Sequence, residues 1–333
     1  MLHTIILIPW LLASAAAPAR TGGLPDSAAA AASDSAAAVA PADSLPFRLR
    51  AVSVLVSQGN GRGQAVEPSG VAVDPFGRIV VADAALHRLQ RFEADGRWLG
   101  EAGSLGSDPG QLRRPGSVAM LGTLSVVTLD QENRRIERYD LFGRRLGTLI
   151  DLLDPVLADQ VGRVDAVAIA SDRGGALYLA DADRDRVLAF DFSGRFQRTI
   201  GGYGARPGSF RGLGGLATAP RGGLVIAERV NRRVQRLDTG GRVVRAWPLA
   251  NVAAPGALPV AVDDSSRVAV ADEAGGRLWV FDDAGRSLAT LSGLARPRAL
   301  AFSSDGTLLV AEAGRGEVRR FALERSSAAA PGR

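Results

Sequence analysis

The sequence has no cysteine, no lysine and only two histidines, His3 and His87, among 333 residues. Without cysteine there is no disulfide, thiol nucleophile, thiolate-bound metal or lipid-modified N-terminal cysteine. One histidine beyond residue 3 excludes a metal site built from several imidazoles. All 40 basic residues are therefore arginine, whose planar fork suits carboxylates and phosphates. Aromatics amount to 5%, too few for an extended platform on which nucleic-acid bases stack. Long apolar runs are missing as well. The run at residues 5–12 is too short to span a bilayer as a helix, and small residues follow it at Ala13-Ser14-Ala15 and Ala15-Ala16-Ala17. These features predict a signal peptide over residues 1–17, hence an exported, periplasmic or extracellular protein with no transmembrane segment in its mature form.

Residues 18–46 are mainly Ala, Ser, Pro and Asp, a composition that cannot bury enough apolar area to offset its ordering entropy. A disordered tether is expected there, with a disordered tail over 325–333. The tether carries −2 and the whole chain +5, which leaves +7 on the remainder. That modest surplus favours solubility and does not by itself mark a dedicated nucleic-acid surface.

What the chain does have is an internal period. Asp83, Asp130, Asp181, Glu228, Asp272 and Glu312 are spaced by 47, 51, 47, 44 and 40 residues. Nine positions after each acid stands a bulky apolar residue: Phe92, Tyr139, Phe190, Leu237, Phe281 or Phe321. Five positions after it stands Arg88, Arg135, Arg186, Arg233 or Arg277, with Glu317 in the last copy. Alanine lies eleven residues before every acid, at 72, 119, 170, 217, 261 and 301, and a turn glycine lies thirteen after the first five. Each unit reads as four strands of period-2 pattern separated by Gly-containing turns, with no helical stretch. Six such units predict an all-β, six-bladed β-propeller of four-stranded blades over residues 47–324. The turn at Ser171–Gly175 reads as longer than its counterparts, which would shift the register of the third unit. The last unit lacks a fourth strand, whereas the segment from Leu49 to Val56 is a strand without a blade. The N-terminal strand is therefore expected to complete the last blade and remove an exposed edge.

The segments Val80-Val81-Ala82-Asp83 with His87-Arg88-Leu89-Gln90-Arg91-Phe92, and Val225-Ile226-Ala227-Glu228 with Asn231-Arg232-Arg233-Val234-Gln235-Arg236-Leu237, resemble the NHL repeat. The Gly-rich linkers at 103–106 and 201–204 resemble the segment that family carries before each repeat. The resemblance spans roughly residues 47–324 and implies the same six-bladed fold. It implies little about activity, because function is grafted onto folds.

The acids and the arginines five positions on flank the turns between second and third strands, so all of these lie on one face. They form either a ring around a central opening or a fastener in which each acid accepts backbone N–H groups and pairs with an arginine. Repetition favours the fastener. The binding candidates on this face are His87, Arg88, Arg135, Arg186, Arg233 and Arg277. Further arginines collect there: Arg113, Arg114, Arg134, Arg184, Arg232, Arg296 and Arg298. Some NHL propellers bind RNA on the corresponding face, but export and the scarcity of aromatics weigh against nucleic acid here. The expected partner is a protein, peptide or envelope glycan bound by a monomeric, non-catalytic scaffold.

No cofactor is expected apart from a divalent cation such as calcium. Asp181, Asp183 and Asp185 alternate as in a calcium loop, although Arg186 and Phe192 stand where Gly and Glu are needed. Glu228 and Glu312, with their longer reach, are the other metal candidates. The alternative reading is a metal-dependent lactonase- or lyase-like propeller with carboxylate and Asn ligands near the axis, for which Asn133 and Asn231 are available; no lactonase motif maps onto the chain.

Overall fold

The protein is described by a computed structural model covering residues 44–326; the expected signal peptide, most of the tether and most of the tail lie outside the described residues. Six antiparallel sheets are arranged around an axis. The first is Pro68–Val73, Ile79–Asp83, Arg88–Phe92 and Trp98–Ala102, from the axis outward. Four further blades repeat this order, with innermost strands Pro115–Leu121, Ala166–Ser171, Leu213–Thr218 and Val260–Val262. The sixth blade is built from Pro297–Phe302, Leu308–Glu312 and Glu317–Arg325, and its fourth strand is Phe47–Gln58 from the other end of the chain, to whose end the two residues Gln64–Ala65 add in parallel. The N-terminal strand thus closes the ring, pairing antiparallel with Glu317–Arg325 from Phe47↔Arg325 to Val56↔Val318.

The core is divided among the six interfaces between blades. Ala72, Val80, Ala82 and Leu89 of the first blade pack on Leu112, Val118, Val126 and Tyr139 of the second. The ring closes where Leu309, Ala311 and Val318 of the sixth blade, with Leu55 and Val56, meet Val71, Ile79, Val81 and Phe92 of the first. Innermost strands approach closely enough to require glycine: a Cβ on Gly70 would stand 2.3 Å from the Gly116 carbonyl oxygen. The repeated alanines share one register, each pairing with the residue eight positions on, as in Ala72↔Val80 and Ala217↔Val225.

Two expectations need correction. The Ser171–Gly175 turn does not shift the third unit, since Ala170 pairs with Tyr178 like its counterparts. A glycine at φ +85°, Gly175, lets that turn close within the same length. The structure also contains one short helix, Pro155–Val161, between the second and third blades. Asp154 caps it by accepting a hydrogen bond from the Val156 N–H, Pro155 opens its first turn, and Leu157 and Val161 are buried. It fills the longest of the five spacings, 51 residues. Among the described residues no helix is long and apolar enough to cross a membrane.

Candidate functional site

In every blade the repeated acid ends the second strand and pairs in register with the residue five positions on, from Asp83↔Arg88 to Glu312↔Glu317. All six acids are 0% exposed, so they do not line the axial opening. Each instead accepts from backbone N–H groups just ahead of its own innermost strand. Asp83 takes those of Val66 and Glu67, Asp130 that of Arg113, Asp181 that of Asp165, and Glu228 that of Arg211. Asp272 takes that of Ala253 and Glu312 that of Ala295.

The arginines complete this fastener unevenly. Arg135, Arg186 and Arg233 donate through Nε to their acids at 2.8, 2.8 and 2.6 Å, and through their remaining nitrogens to carbonyls of the preceding linker. Arg88 omits the acid, pairing with Glu101 and three linker carbonyls. Arg277 is exposed and, among the described residues, hydrogen-bonds only the Asn251 carbonyl. Where Glu317 replaces arginine, Arg315 and Arg319 reach Glu312 instead.

Contacts from one blade to the next include three from the residue four positions after the acid, held at positive φ: His87 (54°), Arg134 (53°) and Asp185 (46°). His87 accepts from the Arg114 N–H through Nδ1 at 3.0 Å, Arg134 donates to the Val164 carbonyl, and Asp185 accepts from the Leu213 N–H. Asp181, Asp183 and Asp185 therefore do not converge: the first is fastened inside its blade, the second is exposed, and the third bonds the next blade. Among the described residues no group of three or more His, Asp or Glu is placed to hold a metal ion. Asn133 and Asn231 are likewise turned inward, donating to Asp130 and Glu228 and to the Gly106 and Gly204 carbonyls.

The position after each acid is held by Ala84, Gln131, Ala182, Arg229, Glu273 or Ala313, and the middle four line a cavity of about 330 Å³ among the innermost strands. This set is not periodic in residue type, so no repeat signal marks it. Alternation of side-chain direction along a strand is the cue: if the acid points into the blade, its neighbour points elsewhere.

Around the mouth runs a chain of alternating charge. Arg114 of the second blade reaches Glu67 ahead of the first at 2.8 Å. Arg296 and Arg298 of the sixth lie 3.8 and 4.0 Å from Glu67, and 3.4 and 3.2 Å from Glu273 of the fifth. The Ala257 N–H also donates to Glu273 at 2.8 Å. The next cation, Arg229 of the fourth blade, makes no ion pair among the described residues, and its Nε and Nη2 are buried without a hydrogen-bond partner. Burial pushes its guanidinium pKa down, against the attraction of Asp272 and Glu273. Of the expected arginine cluster, the structure thus gathers Arg114, Arg296 and Arg298 at the mouth and places the fastener arginines farther out.

Residues 66–92 match the family model of the NHL repeat. The chain carries an NHL repeat. The other five units repeat its strand order, so the propeller has six blades. No curated protein is significantly similar to it in sequence. Solved structures of similar fold include a gluconolactonase from Xanthomonas campestris, 16% identical, with 85% of this chain and 96% of that one covered at a TM-score of 0.59. Another is virginiamycin B lyase from Staphylococcus aureus, 14% identical, with 84% and 88% covered at 0.55. A third, a Bacteroides thetaiotaomicron protein of unknown function, is 15% identical, with 83% and 76% covered at 0.58. At these identities the likeness is one of fold.

Proposed function

We propose that the chain is an exported recognition propeller, a binding or scaffold module for a protein, peptide or envelope glycan. Its docking site is the face that carries the turns between second and third strands, at the mouth of the axial cavity. The observation behind this reading is the charged chain Arg114–Glu67–Arg298–Glu273, which joins four blades around a concave site lined beneath by apolar strands. A concave site on which a few polar groups converge is the usual form of a ligand site. The lactonase- or lyase-like alternative draws on fold neighbours with those activities, but its candidate carboxylate and Asn ligands are engaged inside the blades.

The test is binding of the full chain to a peptide library and to soluble envelope glycans, comparing Arg114→Gln and Arg298→Gln with Arg173→Gln on the opposite face. The expected result is a ligand lost by the two mouth variants and retained by the third. Binding indifferent to the mouth variants, or lactone hydrolysis by the wild type that depends on an added divalent ion, would overturn the reading.

A further inference from the structure

We propose that the axial cavity is a subsite for a carboxylate joined to an apolar group, with Arg229 as the partner of the anion; this rests on the docking face proposed above. The cavity is lined by three ionisable side chains, Arg229, Glu273 and Arg298. Glu273 and Arg298 are paired with each other, and Arg298 also faces Glu67. The alternating chain of charge therefore ends on an unmatched cation, and the lining carries one net positive charge. A buried charge without a partner is costly, so a ligand that supplies one is favoured. Nε and Nη2, the two partnerless nitrogens, form one edge of the guanidinium, the edge that binds a carboxylate through two parallel hydrogen bonds. Because both nitrogens are buried, a ligand in the cavity that Arg229 lines meets that edge only after the side chain turns toward it.

The remaining lining sets the rest of the ligand. Val71, Val118, Ile169, Leu216, Val260 and Leu300 also line the cavity, one per blade and at one level of the sheets. They bring apolar surface to it. A monoanion balances the lining, whereas a doubly charged phosphate would leave negative charge beside Glu273. Two sources carry this chemistry: a free branched carboxylic acid, or the C-terminal residue of a peptide ending in an apolar side chain. The internal competitor is Asp272, whose Oδ1 is also buried without a partner and which attracts Arg229.

The test compares 4-methylpentanoate with 4-methylpentanamide, and a tripeptide ending in free leucine with its C-terminal amide, by calorimetry on the full chain. The acids are expected to bind about ten- to a hundredfold more tightly than the amides, the difference made by hydrogen bonds to a charged group. Arg229→Gln should abolish that preference. Free acid and peptide binding equally would assign the cavity to small carboxylates, and binding of the peptide alone would assign it to chain ends; either supports the proposal. Acids and amides binding alike, or neither binding, would overturn it without recourse to a variant. So would a strong stability coupling between Arg229→Gln and Asp272→Asn in a chain that ignores the acids, because Asp272 would then be the partner. If the mouth variants lose a glycan or peptide while acids and amides bind alike, the docking face stands and only the carboxylate subsite falls.

Discussion

The fourth and fifth blades fasten the same turn in different ways. Glu228 is fully enclosed and holds the Arg211 N–H, Asn231, Arg233 and Gln235, while Arg233 ties down three linker carbonyls. Asp272, equally buried, holds the Ala253 N–H alone; its other oxygen is without a partner, and Arg277 has swung out to solvent. A satisfied polar network fixes one geometry, whereas an unsatisfied one leaves groups available for another partner. The loosened fastener lies next to the charged part of the axial lining, since Glu273 follows Asp272 and Arg229 follows Glu228. Regularity therefore marks where the scaffold is held, and its lapse adjoins the place where a ligand is expected.

Removing what both blades depend on gives the largest expected effect. Deletion of Phe47–Gln58 strips the sixth blade of its outer strand and uncovers Val318 and Phe321, so the melting temperature should fall by about 10 °C or more. An unchanged melt would show that ring closure contributes nothing.

The comparison itself is tested by paired substitutions under urea. Glu228→Gln strands Arg233 in a buried network and should cost about 3–5 kcal/mol. Asp272→Asn keeps an acceptor for Ala253 and should cost about 1 kcal/mol or less. Equal losses would erase the distinction between the two blades.

A smaller effect concerns the turns on the opposite face. The Asp191 carboxyl is held below the ordinary range by the Ser193 hydroxyl first, then by the Arg195 N–H, with burial opposing and the Ser193 N–H and the Arg195 charge adding to the effect. A carboxyl lowered in this way favours the folded state above its unfolded pKa, and that contribution disappears as pH falls through the lower folded value. Ser193→Ala should move the Asp191 titration upward by NMR, with the fasteners of both blades unaffected. No upward movement would remove the hydroxyl as the cause.

The sixfold period, the small residues of the innermost strands and the closing strand were legible because each repeats or is conspicuously missing from one unit. The helix Pro155–Val161 was less so: seven residues with two buried apolar side chains give little periodicity, and only the long spacing and the Asp154-Pro155 pair hint at it. The site was the least legible part. Glu228 and Glu312, metal candidates by their longer reach, are fasteners of the ordinary kind. Arg229 and Glu273 occupy a position that is alanine in three of the six blades and repeats no charged type, and only three-dimensional packing shows that they share a cavity.

The axial cavity has a counterpart on the opposite face. The hollow there, lined by Ser171, Thr218 and Val262 among others, shares no lining residue with it. The propeller thus offers two separate hollows, and a ligand held in one touches none of the residues that would hold a ligand in the other.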